Sequence, residues 1–395
     1  MSMPEQEPFR LNQLIYDKRY RSYTIQFIAL CLFLLTFAWL VSNAVANLEA
    51  LGKDFSFSFL WQPASYDINQ TLIDYTSRSP HWRAALVGIL NTLVVAFLGC
   101  VLATIVGVAI GVARLSRNWL VSKLMTVYIE GFRNVPVLLW ILLTSTFLSA
   151  GLPSPRQAPV IGGGLLVPTN RGFYIPSPVY ESGAAIVGLV FLLSLVAIFF
   201  FRRYARQRQA ATGEILPVLW ITLAILFVPT ILAYAVLGAP IALEYPELKG
   251  FNFQGGLYIR SSFVALWLAL SLYTAAFIAE NVRAGIQAIS HGQTEAARSL
   301  GLRPGPTLRK VIIPQAMRVI IPPLTSQYLN LAKNSSLAAG IGYPDMVSLF
   351  AGTVLNQTGQ AIEVMAITMS VYLAISISIS LLMNWYNKRI ALIER

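Results

Sequence analysis

Apolar runs and polar breaks alternate along this chain with the length of a bilayer crossing. A helix that crosses hydrocarbon needs about 20 apolar residues at about 1.5 Å of rise each. Eight runs meet that requirement, near 24–46, 84–113, 134–151, 183–201, 215–238, 261–282, 319–340 and 362–386. Backbone groups in lipid must pair within their own segment, so each run predicts a helix. The run at 84–113 is long enough to tilt or to project from the membrane. The run at 134–151 is short, and "MTVYIEGFRNVP" ahead of it reads as an interfacial lead-in. The run at 319–340 is the least apolar, because it holds Lys333, Asn334, Ser335 and Ser336. The expected fold class is all-α: a polytopic membrane protein with about eight transmembrane helices.

Composition agrees with the pattern. The chain is 56% hydrophobic and 12% charged, whereas soluble domains carry about 25% charged residues. The opening "MSMPEQEPFRLNQLIYDKRYRSY" is polar and lacks a signal-peptide layout, so the first apolar run is expected to remain as an anchor. The net charge of +12 takes its meaning from where the charges lie. With the N-terminus inside, 21 of the 29 Lys and Arg fall in inner segments, 7 in outer ones, and Lys333 lies within a span. That bias puts both termini in the cytoplasm. It also explains the basicity without nucleic acid, as topology determinants beside anionic membrane lipid.

Little else suggests chemistry. Cys31 and Cys100 each sit inside an apolar run and form neither a disulfide framework nor a CxxC pair. His81 and His291 are expected to be exposed loop residues, with too few companions for a metal site. No GxxxxGK[ST] phosphate loop is present, and "GLRPGPTLRK" has the wrong spacing. The spacing supports no Ser/His/Asp constellation, and Glu130, Glu280 and Glu363 are not paired in sequence. No catalytic residue is assigned, and an enzyme is not expected. The outer stretch "LPSPRQAPVIGGGLLVPTNRGFYIPSPVY" has six prolines and a Gly triplet, so it excludes long regular helix. It is an ordered external loop if Phe173, Tyr174, Ile175 and Tyr180 pack, and a flexible linker otherwise.

The inner segment "SHGQTEAARSLGLRPGPTLRKVIIP" is the informative one. Ser290 and Gln293 have the spacing of a capping box. Gly301 stands where a helix end favours a left-handed residue, and Pro304 and Pro306 forbid continuation. A second short helix is expected from about Thr307 to Ile313, stopping at Pro314. Glu295 and Arg298, three apart, can pair with each other or offer charge to a partner. One reading is an amphipathic helix on the headgroups. The other is a docking helix, because Ala296, Ala297 and Leu300 make a weak membrane face and a good groove filler.

The spacing of Glu295, Ala296, Ala297, Gly301, Val311, Ile313 and Pro314 resembles the EAA motif of ABC importer permeases. "PQAMRVIIPPLTSQYLNLAKNSSLA", "YTAAFIAENVRAGIQAISHGQTEAA" and "VYIEGFRNVPVLLW" resemble the polar, general L-amino-acid branch. The resemblance covers 84–151 and 261–386. It implies a type I importer core whose coupling helix, near 290–301, seats in a cytoplasmic ABC ATPase dimer through Glu295, Ala296, Ala297, Arg298, Gly301 and Pro314. It also implies a second permease subunit, paralogous rather than identical, and a periplasmic amino-acid-binding protein. ATP and Mg would be bound by the ATPase, leaving this chain without a cofactor. The location implied is the bacterial inner membrane. The chain departs from compact members by an extra first span and an insert. The expected division is 1–23 (cytoplasmic), 24–83 (extra span and external loop), 84–151 (core), 152–260 (insert with two spans) and 261–395 (core).

Lys333 is the intramembrane charge, and such a charge costs about 3 kcal/mol on insertion scales. It either lines the translocation path or gate, together with Asn334, Ser335 and Asn91, or serves as structural glue. Glu280 and Arg283 fit an intrahelical pair, and they join Arg133 as candidates for bracing the cytoplasmic end. Pro136 is expected in the first turn of the third span, where a missing N–H costs little. The rival function is an ion-coupled secondary transporter of small polar solutes. That class shows inverted repeats and intramembrane acids, and neither is evident in this chain.

Overall fold

The computed structural model describes residues 17–50 and 55–390. Arg10, Lys53, Arg395 and most of the N-terminal segment therefore lie outside the described residues. In chain order the principal helices are α1 (Lys18–Ala50), α2 (His81–Arg114), α3 (Trp119–Asn134), α4 (Val137–Gly151), α5 (Ala184–Thr212), α6 (Val218–Val236) and α7 (Ser261–Gln287). They continue with α8 (His291–Ser299), α9 (Pro304–Thr307), α10 (Ile313–Asn334), α11 (Leu355–Thr358) and α12 (Ala361–Ile390).

Six of the described helices are long and apolar enough to cross a membrane: α1, α2, α5, α6, α7 and α12. The expected third span is not a single straight helix. α4 has only 15 residues and meets α3 at a bend of 106°, and together they would make a seventh span. The chain turns there because Val135 and Pro136 take extended backbone, as the residue before a proline prefers. Pro136 thus precedes the first turn of α4 rather than lying within it. The expected eighth span, 319–340, is a composite. α10 ends at Asn334 and passes into a 3₁₀ segment, Ser335–Ile341, which Gly342 closes with φ +68°.

The chain divides into two units. The first comprises residues up to Ile89 together with Met346–Ala374. Its core gathers Phe59, Ala85, Met346, Phe350, Val354 and Val364. Glu363 is buried at the start of α12, where a carboxylate oxygen accepts the Ser56 N–H at 2.9 Å. His81 corrects its expectation: it is only 3% exposed, against the rings of Phe59 and Tyr66.

The second unit holds Leu90–Asp345 and the chain from Ile375. α7 is its axis, packed against α3, α4 and α10. Small residues allow the close approaches. A Cβ at Gly111 would lie 2.6 Å from the Ala279 carbonyl oxygen, and one at Gly285 would lie 2.3 Å from Ile320 Cγ1. α5 and α6 instead form a hairpin that packs chiefly on itself and turns most of its side chains outward.

The chain is mostly helical as expected, and the loops of the insert add short strands to it. They contain β1 (Val167–Thr169), β2 (Gly172–Ile175), β3 (Ser177–Tyr180), β4 (Ile241–Glu244), β5 (Glu247–Lys249), β6 (Asn252–Gln254) and β7 (Leu257–Arg260). These form three small antiparallel sheets, ordered β1-β2-β7, β3-β4 and β5-β6. Val167, Tyr174 and Phe253 make a buried cluster, and the Tyr174 hydroxyl donates to Asn252 Oδ1 at 2.8 Å. The loop is therefore ordered, through Tyr174 with Phe173 and Ile175 half-buried, but Tyr180 is 70% exposed.

Candidate functional site

The segment between α7 and α10 folds as a short helix with a closed end. Ser290 has the extended backbone of an N-cap, but its side chain makes no capping bond. The expected capping box is absent because the Gln293 side chain turns away: its Oε1 accepts from Gln315 Nε2 at 3.1 Å. The C-terminal expectation is met. Gly301 has φ +74°, its N–H donates to Arg298 O at 2.8 Å, and the Leu302 N–H donates to Ala297 O at 3.1 Å. That is a Schellman ending, and it releases the chain sharply from the helix axis.

α8 buries only Ala297 and leaves Glu295, Ala296, Arg298 and Leu300 outward, with Leu300 81% exposed. Among the described residues Glu295 and Arg298 form no ion pair with each other. The second short helix does not stop at Pro314. Pro304–Thr307 opens it, Leu308–Ile312 widens into a π turn, and α10 follows without interruption. The wider turn re-routes the ladder where Pro314 supplies no N–H.

Next to this segment the bracing candidates separate. The Glu280 carboxylate accepts from Arg283 Nε at 3.1 Å and from the Arg283 terminal nitrogen, and it also pairs with Arg114 at the end of α2. Arg283 further donates to the Gln287 side-chain oxygen. The intrahelical pair was legible, but Arg114 was missed. Its only sequence signal was a basic residue in the last turn of a long span. Arg133 makes no ion pair with Glu280 but is near enough for its charge to act on that carboxylate, and it lies over the Phe277 ring at 5.4 Å. Beside it the Tyr128 hydroxyl donates to Leu272 O at 2.6 Å, and Phe132 stacks on Trp140 at 4.2 Å, tying α3 and α4 to α7.

The candidates for the path also fall in different places. Asn91 is fully buried: its Nδ2 donates to Pro344 O at 2.9 Å, and its carbonyl accepts from the Tyr343 hydroxyl at 3.1 Å. Ser335 is buried and donates to Ala332 O at 2.7 Å. Asn334 is half-buried and Lys333 is exposed. α10 buries Ala316, Ile320, Ile321, Leu324, Leu331 and Ala332, and leaves Ser326, Asn330 and Lys333 outward. Those three share one helical face, at i, i+4 and i+7. Ser326 and Asn330 were missed, although their spacing is visible in the sequence. Among the described residues no group of three or more His, Cys, Asp or Glu is placed to hold a metal ion.

Six described helices long and apolar enough to cross a membrane define a multi-span membrane protein, with the short outward helix α8 set between α7 and α10. Comparison with known proteins gives the family. Residues 208–392 match the family described as "Binding-protein-dependent transport system inner membrane component". The chain is 49% identical to the glutamate/glutamine/aspartate/asparagine transport system permease protein BztB of Rhodobacter capsulatus, over 100% of this chain and 99% of that one. It is 52% identical to the putative amino-acid ABC transporter permease protein YhdX of Escherichia coli, over 95% of each chain. It is 45% identical to the general L-amino acid transport system permease protein AapQ of Rhizobium johnstonii, over 96% of this chain and 95% of that one. The chain belongs to this family of binding-protein-dependent transport components and is a multi-pass inner-membrane protein.

Proposed function

We propose that the chain is the permease subunit of an ATP-driven importer for amino acids, and that α8 is where it takes up the energy of a partner ATPase. The observation that carries this reading is the geometry of α8. It projects Glu295, Ala296, Arg298 and Leu300 outward on a helix closed by Gly301. Small side chains exposed together fill a protein groove well, and Leu300 is the one large apolar group exposed at 291–301, too little for a lipid-bound face. The permease names of the long relatives support the amino-acid class, with glutamate, glutamine, aspartate and asparagine as first probes.

In this reading both termini and α8 are cytoplasmic, and an ABC ATPase dimer holds ATP and Mg. A paralogous permease completes the path, and a periplasmic binding protein delivers substrate. Residues 84–151 and 261–395 form the transport core and 152–260 the insert. Pro314 holds the chain behind α8 on course into α10, and Glu280, Arg283 and Arg133 brace the inner end. The exposed face of Ser326, Asn330 and Lys333 borders the water-filled path, since a polar face with a charge at Lys333 is costly against lipid. The break after Asn334 suits the same place, because irregular backbone at membrane depth is tolerated only against protein or a water-filled cavity. Asn91 and Ser335 set the backbone around that face rather than line it.

The test is uptake of radiolabelled L-glutamate and L-glutamine into proteoliposomes that hold the whole transporter. Uptake is expected to need ATP and the binding protein, and to be lost when Glu295–Gly301 is deleted. Uptake driven by a proton or sodium gradient alone would sink the reading.

A further inference from the structure

A cavity of about 740 Å³ lies behind α8, in the second unit, and of the docking residues named above it shares only Arg298. Its polar lining is Arg117, Gln287, His291, Thr294, Arg298 and Thr307. Among the described residues no carboxylate lines it. The remaining lining is apolar and comes from the ends of α2 and α7 and from the π turn, through Leu115, Ile286 and Leu308 among others. The lining thus combines two cations and hydrogen-bonding groups with apolar side chains that suit hydrocarbon.

The neighbouring helix gives the depth. Arg117 stands just ahead of α3, whose outward face carries Leu120, Leu124 and Val127, flanked by Trp119 at 75% exposure and by Lys123. An apolar face edged by Trp and Lys is the pattern of a helix lying in the membrane interface. The bend of 106° between α3 and α4 lets α4 enter the membrane while α3 lies along it. Arg117 is then at headgroup level.

We infer that this cavity binds the headgroup of an anionic phospholipid. Arg117 and Arg298 hold the phosphate, His291, Thr294 and Gln287 supply further polar contacts, and an acyl chain runs over Ile286 and Leu308. The lipid joins α8, through Arg298 and His291, to the end of α2, through Arg117. It thereby sets the angle at which the docking helix is presented. The inference rests on the reading that α8 is cytoplasmic and docks the ATPase.

The test uses the complete transporter, purified in a neutral detergent. Phosphatidylglycerol is expected to raise the unfolding temperature saturably, and phosphatidylcholine is not. Arg117→Gln is expected to weaken the phosphatidylglycerol dependence about fivefold, as the loss of one basic contact to an anionic headgroup does. Arg117→Lys is expected to retain most of it. Arg117 is exposed, so neither variant disturbs the core. Native mass spectrometry should find phosphatidylglycerol on the wild type and less of it on Arg117→Gln. Equal stabilisation by inorganic phosphate or ATP would overturn the assignment to lipid, and so would an unchanged phosphatidylglycerol response in Arg117→Gln. ATP-dependent uptake that is the same in every lipid overturns the inference and leaves the importer reading standing. The absence of ATP-dependent uptake in any lipid strikes the importer reading itself.

Discussion

α7 and α5 are alike in sequence terms: both are apolar and both are long enough to cross a bilayer, yet they do opposite work. In the most apolar 18-residue stretch of α7, 61% of the residues are buried, against 17% in α5. α7 is rich in Ala, including Ala265, Ala269, Ala275, Ala276 and Ala279, all buried. α5 presents Leu189, Leu192, Leu193, Phe199 and Phe200 outward, each more than half exposed. Lipid is as apolar as leucine, so hydrophobicity places both helices in the membrane but cannot bring them together. Small residues and close backbone approach select the core helix.

The largest expected effect comes from adding volume to each helix environment. Gly111→Val sets a branched side chain where a Cβ alone would lie 2.6 Å from Ala279 O and 2.8 Å from Val282 Cβ. Overpacking of this kind costs about 1–3 kcal/mol, and more where the obstacle is backbone. Gly188→Val, on α5, meets nothing within 4 Å. Thermal unfolding in detergent should fall sharply for the first variant and stay within about 0.5 kcal/mol for the second. Equal losses would break the comparison.

A middle effect separates two ion pairs. Glu280→Gln leaves Arg114 and Arg283 beside each other without a carboxylate, in surroundings where their side chains are 18% and 27% exposed. The cost should be about 2 kcal/mol, between the values for exposed and buried pairs. Glu214→Gln removes the partner of Arg208 beyond the end of α5, where both side chains are more than 40% exposed. It should leave the unfolding transition unchanged within error, since solvent screens an exposed pair. Denaturation of the two variants side by side measures the difference.

The smallest effect on stability is the most informative for function. Gly301 and Gly213 both end helices with positive φ, +74° and +72°, and neither is crowded. Replacing either with Ala should cost about 1 kcal/mol through backbone strain. Only Gly301→Ala should also lower uptake per ATP hydrolysed, because it tilts α8, the proposed docking element. A coupling ratio unchanged by Gly301→Ala would argue against α8 as the coupling element.

Much of this was legible in the chain. Apolar length located six of the eight expected spans as single helices, since transfer into lipid is a local property of a segment. Gly301 and Pro304 marked the end of α8, since left-handed backbone and missing donors are local too. The i, i+3 spacing of Glu280 and Arg283 announced their pair. The capping box failed because Gln293 found Gln315, 22 residues on. The stop at Pro314 failed because a π turn absorbed the missing bond, and His81 proved buried because Phe59 and Tyr66 close over it.

The sequence by itself determined that this is a membrane protein with a short, sharply ended polar helix between two apolar runs, because hydropathy and helix termini are set within a few residues. The tertiary structure decided which apolar helix becomes the axis, that Arg114 joins Glu280 across 166 residues, and that β2 pairs with β7 across the whole α5–α6 hairpin. Those choices depend on which surfaces meet, and residues far apart in the chain meet only after it has folded.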